Sequence, residues 1–389
     1  MRHRDGQGDI KVSFLELFFD LVFVFAITQL AHRLLEHFTL PGALEVLILL
    51  MGVWWVWVGI AWMTNWLNPD TLPVRLCLIA LMLIGLVMAA SLPGAFGERG
   101  LWFAVAYALM GTVSSGFALW AMWGTHQQAN FTRILSWRTL SGALWTAGAL
   151  SEGEARLGLW LLALGVDYLS AAVGFFVPGL GRSTTQDWDV SGAHMAERAG
   201  LFIIIALGES LLVAEATFAE LSWDAVHVAA LAVTFVGSVA LWWIYFIANA
   251  QAGEHSITHS DDPGRIARSA YTFIHVAIVA GIVLTAVADE FVLAHPGGHT
   301  ATKVMLATLG GPALFLLGNL LFKRNITGQV PVSHLAGLGG AGPAGPADRT
   351  GHAADTGGAG DGGADRGGRV GGPPGLGQAR GTAGVELKA

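Results

Sequence analysis

Apolar residues dominate positions 12–322, in blocks of twenty or so separated by short polar, glycine- or proline-bearing breaks. A block of that length matches the ~20 residues an α-helix needs to cross a hydrocarbon core of about 30 Å. Inside lipid every backbone N–H and C=O must be paired within the segment, so the spanning element is a helix. The pattern predicts an all-α, polytopic membrane bundle of about ten transmembrane helices. They fall at 12–34, 42–64, 73–92, 101–124, 134–151, 156–178, 198–218, 225–249, 268–288 and 302–322. The fifth is short and contains Arg138, which predicts a tilted, interfacial or shifted segment.

The polar positions inside these blocks carry the chemistry. Glu16 and Asp20 interrupt the first block at i, i+4, so both carboxylates share one helical face. A carboxylate in a bilayer costs about 2.5 kcal/mol or more. Such a pair either binds partners on neighbouring helices and fixes packing, or forms a proton or cation site. Gln29 and His32 fall near the far end, at the interface. In span seven, Arg198 and Glu209 lie nearly on one face, and Gly208 is expected to admit a close helix approach. Glu209, near mid-membrane, is the leading single candidate. His194 and Glu197 fall at the start of that span, where water can solvate them. In span nine, Arg268, Tyr271 and His275 follow i, i+3, i+7 and make one polar stripe. His275 there is either a proton-handling group or a satisfied core residue. Asp167, beside Tyr168 in span six, is expected to pair with an arginine or histidine of another helix.

Trp54, Trp55, Trp57, Trp62 and Trp66 all fall on span two, more than an interfacial belt needs. Trp54, Trp57 and Trp62 are expected partly to line a protein interior. Composition agrees with a membrane class: 53% of residues are hydrophobic and 13% charged, against about 25% charged in soluble proteins. The lone Cys77 excludes an intramolecular disulfide and reads as a small buried hydrophobe. The first block is too long, too acidic and too poor in small-residue cleavage sites for a removed signal peptide, so it reads as a retained span.

Basic residues set the expected orientation. With the start of the chain in the cytoplasm, Arg2, Arg4, Lys11, Arg75, Arg133, Arg138, Arg182, Arg198, Arg265, Arg268, Lys323 and Arg324 are inside. Arg33, Arg99, Arg156 and Lys303 are outside. The positive-inside rule then puts both termini in the cytoplasm.

Two stretches echo one another. Trp54-Trp55-Val-Trp57, then Asn65, Asp70 and Pro73-Val-Arg75, parallels Trp242-Trp243-Ile-Tyr245, then Asn249, Asp262 and Pro263-Gly-Arg265, at offsets of 188 and 190 residues for Trp54 and Pro73. Glu16 and Glu197 sit near the starts of spans one and seven. This order predicts a six-span unit over 1–178 and a parallel copy truncated to four spans over 179–325. Repeats of this kind recur in transporters, with the site between the units. The tail, 326–389, is expected to be disordered: residues 328–389 hold 20 Gly and no Phe, Trp, Tyr, Ile or Met. It is either a flexible appendage or the product of a frameshift that replaced two further spans.

Three motifs carry a resemblance. Phe14-Leu-Glu16-Leu-Phe-Phe-Asp20-Leu-Val-Phe-Val-Phe-Ala-Ile-Thr-Gln29-Leu-Ala-His32 resembles the opening signature of the bacterial low temperature requirement protein A family. His194-Met-Ala-Glu197-Arg198-Ala-Gly-Leu-Phe202, continuing to Ala206-Leu-Gly208-Glu209-Ser210, is similar to its second signature, with Ala199 where a larger residue is usual. Asp262-Pro-Gly-Arg265 with Arg268, Tyr271 and His275 is similar to its third. The resemblance covers about residues 10–325 and implies a multi-pass bacterial inner-membrane protein tied by name to growth in the cold, with no established activity.

The expected function is a proton- or ion-linked transporter or permeation pathway through Glu16, Asp20, Glu197, Arg198, Glu209, Arg268, Tyr271 and His275. The rivals are an intramembrane enzyme acting on a lipid or envelope component, with the same groups as acid and base, and a structural or sensory membrane protein. The partners expected are the lipid bilayer and a small solute or ion, with no nucleic acid. Glu254, His255, His259, Asp261 and Asp262 have a metal-like spacing but read as a solvated loop, so neither metal nor cofactor is expected. An uninterrupted frame past the codon for Val330, found by sequencing the gene from independent isolates, is the result that excludes the frameshift.

Overall fold

The computed structural model describes residues 11–185, 188, 190–258, 262–296 and 301–328, with backbone alone over 248–258 and at 263. The side chains of Glu254 and His255, residues His259 and Asp261, and the chain from 329 onward lie outside the described residues. Ten long helices are present among those described: α1 Phe14–Glu36, α2 Leu40–Trp66, α3 Leu72–Ser91, α4 Gly100–Ala121, α5 Gln128–Ala149, α6 Gly153–Ala172, α7 Gly192–Ala219, α8 Ala225–Thr258, α9 Gly264–Ala294 and α10 Thr302–Thr327. The chain is a multi-pass helical membrane bundle, and no strand occurs among the described residues.

Local sequence starts and stops these helices. Ser13 caps α1 in a reciprocal box with Glu16, and Thr39 caps α2 ahead of Pro41. Asp224 accepts from the backbone N–H groups of Val226 and His227 at the head of α8. Those bonds, the His227 N–H first, hold its carboxyl below the usual carboxylate range. α10 ends on Gly328, whose φ of 70° suits glycine. It reaches a few residues past the expected end of the tenth span.

Nine of the ten helices are long and apolar enough to cross a membrane, and α5 falls short. It carries Arg133, Arg138 and a series of hydroxyls. The hydroxyls of Thr132, Ser136, Thr139 and Thr146 each donate to the carbonyl four residues back, so the helix satisfies them internally. α5 lies antiparallel along α4: Gly111 faces Arg138, Ala108 faces Gly142, and Phe103 packs edge-on against Trp145. It also packs on α6, so protein replaces lipid around much of it.

α2 is the most buried helix and touches α1, α4, α6, α7 and α9. A helix that is apolar on every side belongs in such a position. Its tryptophans serve two faces. Trp57 and Thr64 look toward α1 and α7, while Trp55, Gly59, Trp62 and Trp66, spaced at one helical period, look toward α4, α5 and α9. Trp54, Trp55, Trp57 and Trp62 are all buried, so they are core groups and not a belt.

α9 is not uniform: residues Arg268–Ile274 form a π-helix before α-helix resumes at His275. Further along, α9 and α10 cross closely through glycines. A Cβ at Gly281 would meet Phe315 N at 2.5 Å, and one at Gly311 would meet Thr285 N at 2.7 Å. Both obstacles are backbone, which cannot rotate away. Gly208, by contrast, has nothing within 4 Å of a built Cβ. The expected close approach at Gly208 is therefore corrected: small-residue packing lies between α9 and α10 instead. Gly311→Leu is expected to lower the melting temperature in detergent by the equivalent of about 1–3 kcal/mol, and Gly208→Ala to leave it unchanged or slightly raised, both measured by thermal unfolding.

Candidate functional site

Two ionisable pairs at helical spacing meet near the end of the bundle where α1 begins. Glu16 and Asp20 project from α1, and His194 and Arg198, also i, i+4, project from the first turns of α7. All four side chains have zero solvent exposure. Arg198 Nη1 donates to Glu16 Oε1 at 3.2 Å and to Thr64 Oγ1 at 2.9 Å. Its Nη2 donates to Asp20 Oδ1 at 2.5 Å. The guanidinium also sits 5.9 Å from the Phe19 ring centroid and 5.7 Å from that of Trp57.

Asn65 fixes the histidine. Its Nδ2 donates to Ser191 O at 3.0 Å, and its Oδ1 accepts from Ser191 N at 3.0 Å, which sets the amide's orientation. The same Nδ2 faces His194 Nδ1 at 3.1 Å. An N–H pointing at Nδ1 requires that nitrogen to accept. The ring proton is then on Nε2, which donates to Glu16 Oε1 at 2.8 Å, and His194 is neutral.

The two carboxylates are held unequally. Glu16 Oε2 accepts from Ser13 N at 2.9 Å and Ser13 Oγ at 3.0 Å, while Oε1 takes His194 and Arg198. With four donors and the positive end of a helix behind it, Glu16 is built to be a carboxylate. Asp20 Oδ1 accepts from Arg198 and from Trp57 Nε1, the latter at 2.7 Å. Asp20 Oδ2 is buried and has no hydrogen-bond partner. Two carboxylates, one guanidinium and a neutral imidazole leave a net charge of −1 in a sealed, low-dielectric place, an expensive arrangement.

The other expected site residues lie elsewhere. Glu197 is exposed and accepts from Val12 N at 2.9 Å, which pins the chain entering α1. Glu209 accepts from Thr28 Oγ1 at 3.1 Å. Thr28 is eight residues beyond Asp20 on α1, about 12 Å along the axis at 1.5 Å per residue, so Glu209 stands apart from the cluster. His275 is buried and saturated. Its Nδ1 donates to Ala270 O and its Nε2 accepts from Tyr245 Oη, both at 2.9 Å. The ring lies among Tyr271, Phe322 and Trp54, which is the satisfied-core alternative. Trp54 joins it to the cluster, stacking 4.7 Å from Trp57 and lying parallel to His275 at 6.5 Å. Arg268 is half-buried, donates to Ala171 O at 2.8 Å, and lines a cavity among the tryptophans of α2.

Asp167 forms a second buried acid centre. Tyr107 Oη and Ser141 Oγ each donate to its Oδ2 at 2.6 Å, and Arg138 Nη1 stands 3.9 Å from Oδ1. The expected arginine partner is thus at hand, at the long end of an ion pair. His32 reaches Glu290 at 3.6 Å near the other end of the bundle.

His194, Asn65, Thr64 and Trp57 complete the cluster; in the sequence His194 reads as solvated, Asn65 as part of the repeat and Trp57 as an interior ring, and nothing marks Thr64. Two signals were present: the i, i+4 spacing of His194 and Arg198, which mirrors Glu16 and Asp20, and the Ser13-x-x-Glu16 capping box. Removing Arg198 strips the cluster of its guanidinium. Arg198→Met is expected to destabilise by about 3–5 kcal/mol, because it leaves two buried carboxylates facing each other. Arg198→Lys is expected to lose less, since it keeps the charge but not the fork. Thermal unfolding in detergent measures both.

The family described as "Bacterial low temperature requirement A protein (LtrA)" matches residues 11–347. An uncharacterised protein of Rhizobium meliloti (strain 1021) is 40% identical over 338 residues, covering 86% of this chain and 82% of that protein. No solved structure matches. The match takes in the acid pair of α1 and the basic pair of α7 together, and the chain belongs to the bacterial low temperature requirement protein A family.

Proposed function

We propose that this protein is a proton-linked membrane transporter whose proton site is Asp20. The observation that carries the reading is the charge imbalance of the sealed cluster together with the unpartnered Asp20 Oδ2. One proton on Asp20 brings the cluster to neutrality while the Glu16–Arg198 pair stays intact. A neutral cluster costs less to carry through a lipid-embedded conformational change than a charged one. The aromatic stack Trp57–Trp54–His275 gives α1, α2 and α9 a common contact through which such a change can spread.

The two-unit arrangement belongs to this reading. α1 packs on α2 and α3, and α7 packs on α8 and α9, with the cluster between the leading helices of the two units. The site then lies at the interface between units, where transporters place theirs. The expected orientation belongs to it as well. Arg133, Arg138 and Arg198 on one side, and Arg33 and Arg156 on the other, are buried and so carry less weight as loop charges. Leaving them out keeps the bias toward cytoplasmic termini, and the cluster is then nearer the cytoplasmic face of a bacterial membrane.

Complete burial favours one rival, that the cluster only locks α1 to α7. Asp20→Asn separates the two. Proteoliposomes carrying a pH-sensitive dye are expected to show solute-driven proton movement with the wild type and about tenfold less with Asp20→Asn, with the melting temperature held. A large fall in melting temperature, with proton traces equal to those of empty liposomes for the wild type as well, establishes the lock and overturns the transporter.

A further inference from the structure

Beside the cluster, the second face of α2 lines a cavity of about 60 Å³. Trp55, Trp62 and Trp188 wall it, and Arg138 and Arg268 bring positive charge to it from α5 and α9. No aspartate or glutamate lines it among the described residues. Every polar feature left open there is a donor. Trp55 Nε1 and Trp188 Nε1 are buried N–H groups without a hydrogen-bond partner, and Arg138 Nη1, also without one, stands 3.9 Å from Asp167 Oδ1 behind the wall. The Arg138 side chain is 10% exposed, its Cζ lies 5.1 Å from the Trp55 ring centroid and its Nη2 donates to Trp55 O at 3.3 Å, which fixes the guanidinium at the wall. Gly59 makes room for it, since a Cβ there would stand 2.4 Å from Arg138 Nη2.

The backbone around the cavity is strained as well. Phe175, also in the lining, has a φ of 52°, a left-handed conformation that a phenylalanine adopts only at a cost. That conformation sets its ring 6.0 Å from Trp188. The opposite wall is the π-helical stretch of α9, where Thr272 accepts from Trp62 Nε1 at 3.1 Å and, through its carbonyl, from Trp54 Nε1 at 2.9 Å. Segments of this kind are frequent at functional sites.

Unpaired donors in a buried place are costly unless a ligand accepts from them. Two guanidiniums and indole N–H groups call for an anion. Aromatic and aliphatic walls call for carbon. At about 10–15 Å³ per water-sized occupant, the volume suits roughly four to six non-hydrogen atoms. We propose that this cavity binds a short-chain organic monocarboxylate, with the carboxylate toward Arg138 and Arg268 and the chain against the tryptophans. Arg268 also lines a broad groove of about 850 Å³ with Arg182, Ser183 and Thr185, and so stands between that groove and the cavity as the point of entry. The binding claim stands on the cavity alone, and only the anion's role as the solute moved with the proton rests on the proposed function. Carried together, a carboxylate and a proton cross without net charge.

The test is titration of the purified full-length chain in detergent with sodium propionate, followed by tryptophan fluorescence and thermal shift. Chloride and phosphate at equal ionic strength, and octanoate, are the comparisons. Saturable propionate binding with a dissociation constant on the order of 1 mM is expected for so small a ligand. Arg268→Gln, a half-buried position bonded to one carbonyl, is expected to weaken it about tenfold with the unliganded melting temperature unchanged. Trp188→Phe keeps the ring, removes the N–H and is expected to weaken it several-fold by thermal shift. Propionate no better than chloride overturns the site. Phosphate or octanoate binding as well as propionate overturns the ligand class. Wild-type affinity in both variants overturns the location. Propionate binding that depends on Arg268, with no proton movement in liposomes, leaves the cavity standing and removes the proton-linked reading.

Discussion

One buried guanidinium ties the two signature helices of this bundle to each other and to α2. Arg198 reaches Glu16 with one arm and Asp20 with the other, and its first arm also takes Thr64 of α2. Three helices are fixed by one planar group, because only arginine offers a rigid fork of donors that stays charged in a dry interior. The constraint acts in both directions. The acids tolerate burial because the cation is there, and the cation tolerates burial because the acids are there. The Asn65 and Ser191 pairing, which sets the His194 tautomer, lies beside this group.

The same logic recurs at lower strength across the fold. Arg156 donates to the carbonyls of Gly97 and Ser151, at 2.9 and 3.0 Å, and so ties two loops at one end of the bundle. Arg133 donates to Leu180 O at 2.7 Å and Ser183 Oγ at 2.9 Å, holding down the segment between α6 and α7. Arg33 pairs with Glu45 at 2.5 Å. Each binds groups that lipid or a dry loop would leave unsatisfied. Arg138 and Arg268 differ. Arg138 stands 3.9 Å from its nearest carboxylate oxygen and donates to Trp55 O at 3.3 Å, and Arg268 bonds one backbone carbonyl. Both guanidiniums line the tryptophan-walled cavity. Their place in the cavity lining separates a candidate binding position from structural arginines of the same type.

α2 connects the two sites. Its period places Trp57 and Thr64 on the charged cluster and Trp55, Gly59 and Trp62 on the cavity. Trp54 bridges them, donating to Thr272 of the π-helical stretch while stacking on Trp57. A change in how Asp20 holds Trp57 therefore has a short material route to the cavity wall. The route is a chain of packed aromatic rings and two indole hydrogen bonds, and it needs no large displacement to be felt.

Much of this was legible in the chain. Block length and hydropathy determined the class, the helix count and the approximate ends, because a bilayer leaves the backbone no alternative to helix. The i, i+4 acids of α1 announced a partnered charge, since lipid excludes an unpartnered one. The motifs of α1 and α7 determined the family. Tertiary structure alone decided which polar residues meet. Glu209 and His275 are ionisable, as Asp20 is, yet lie with Thr28 and Tyr245, because the rotation and depth of each helix, set by packing, choose the partner. His194 looked solvated near a helix end and is sealed, because α1 and α2 close over it. The cavity was invisible for the same reason: its walls come from five separate helices and a loop. Periodicity reports what one helix presents on each face, but a space between helices exists only once they have packed.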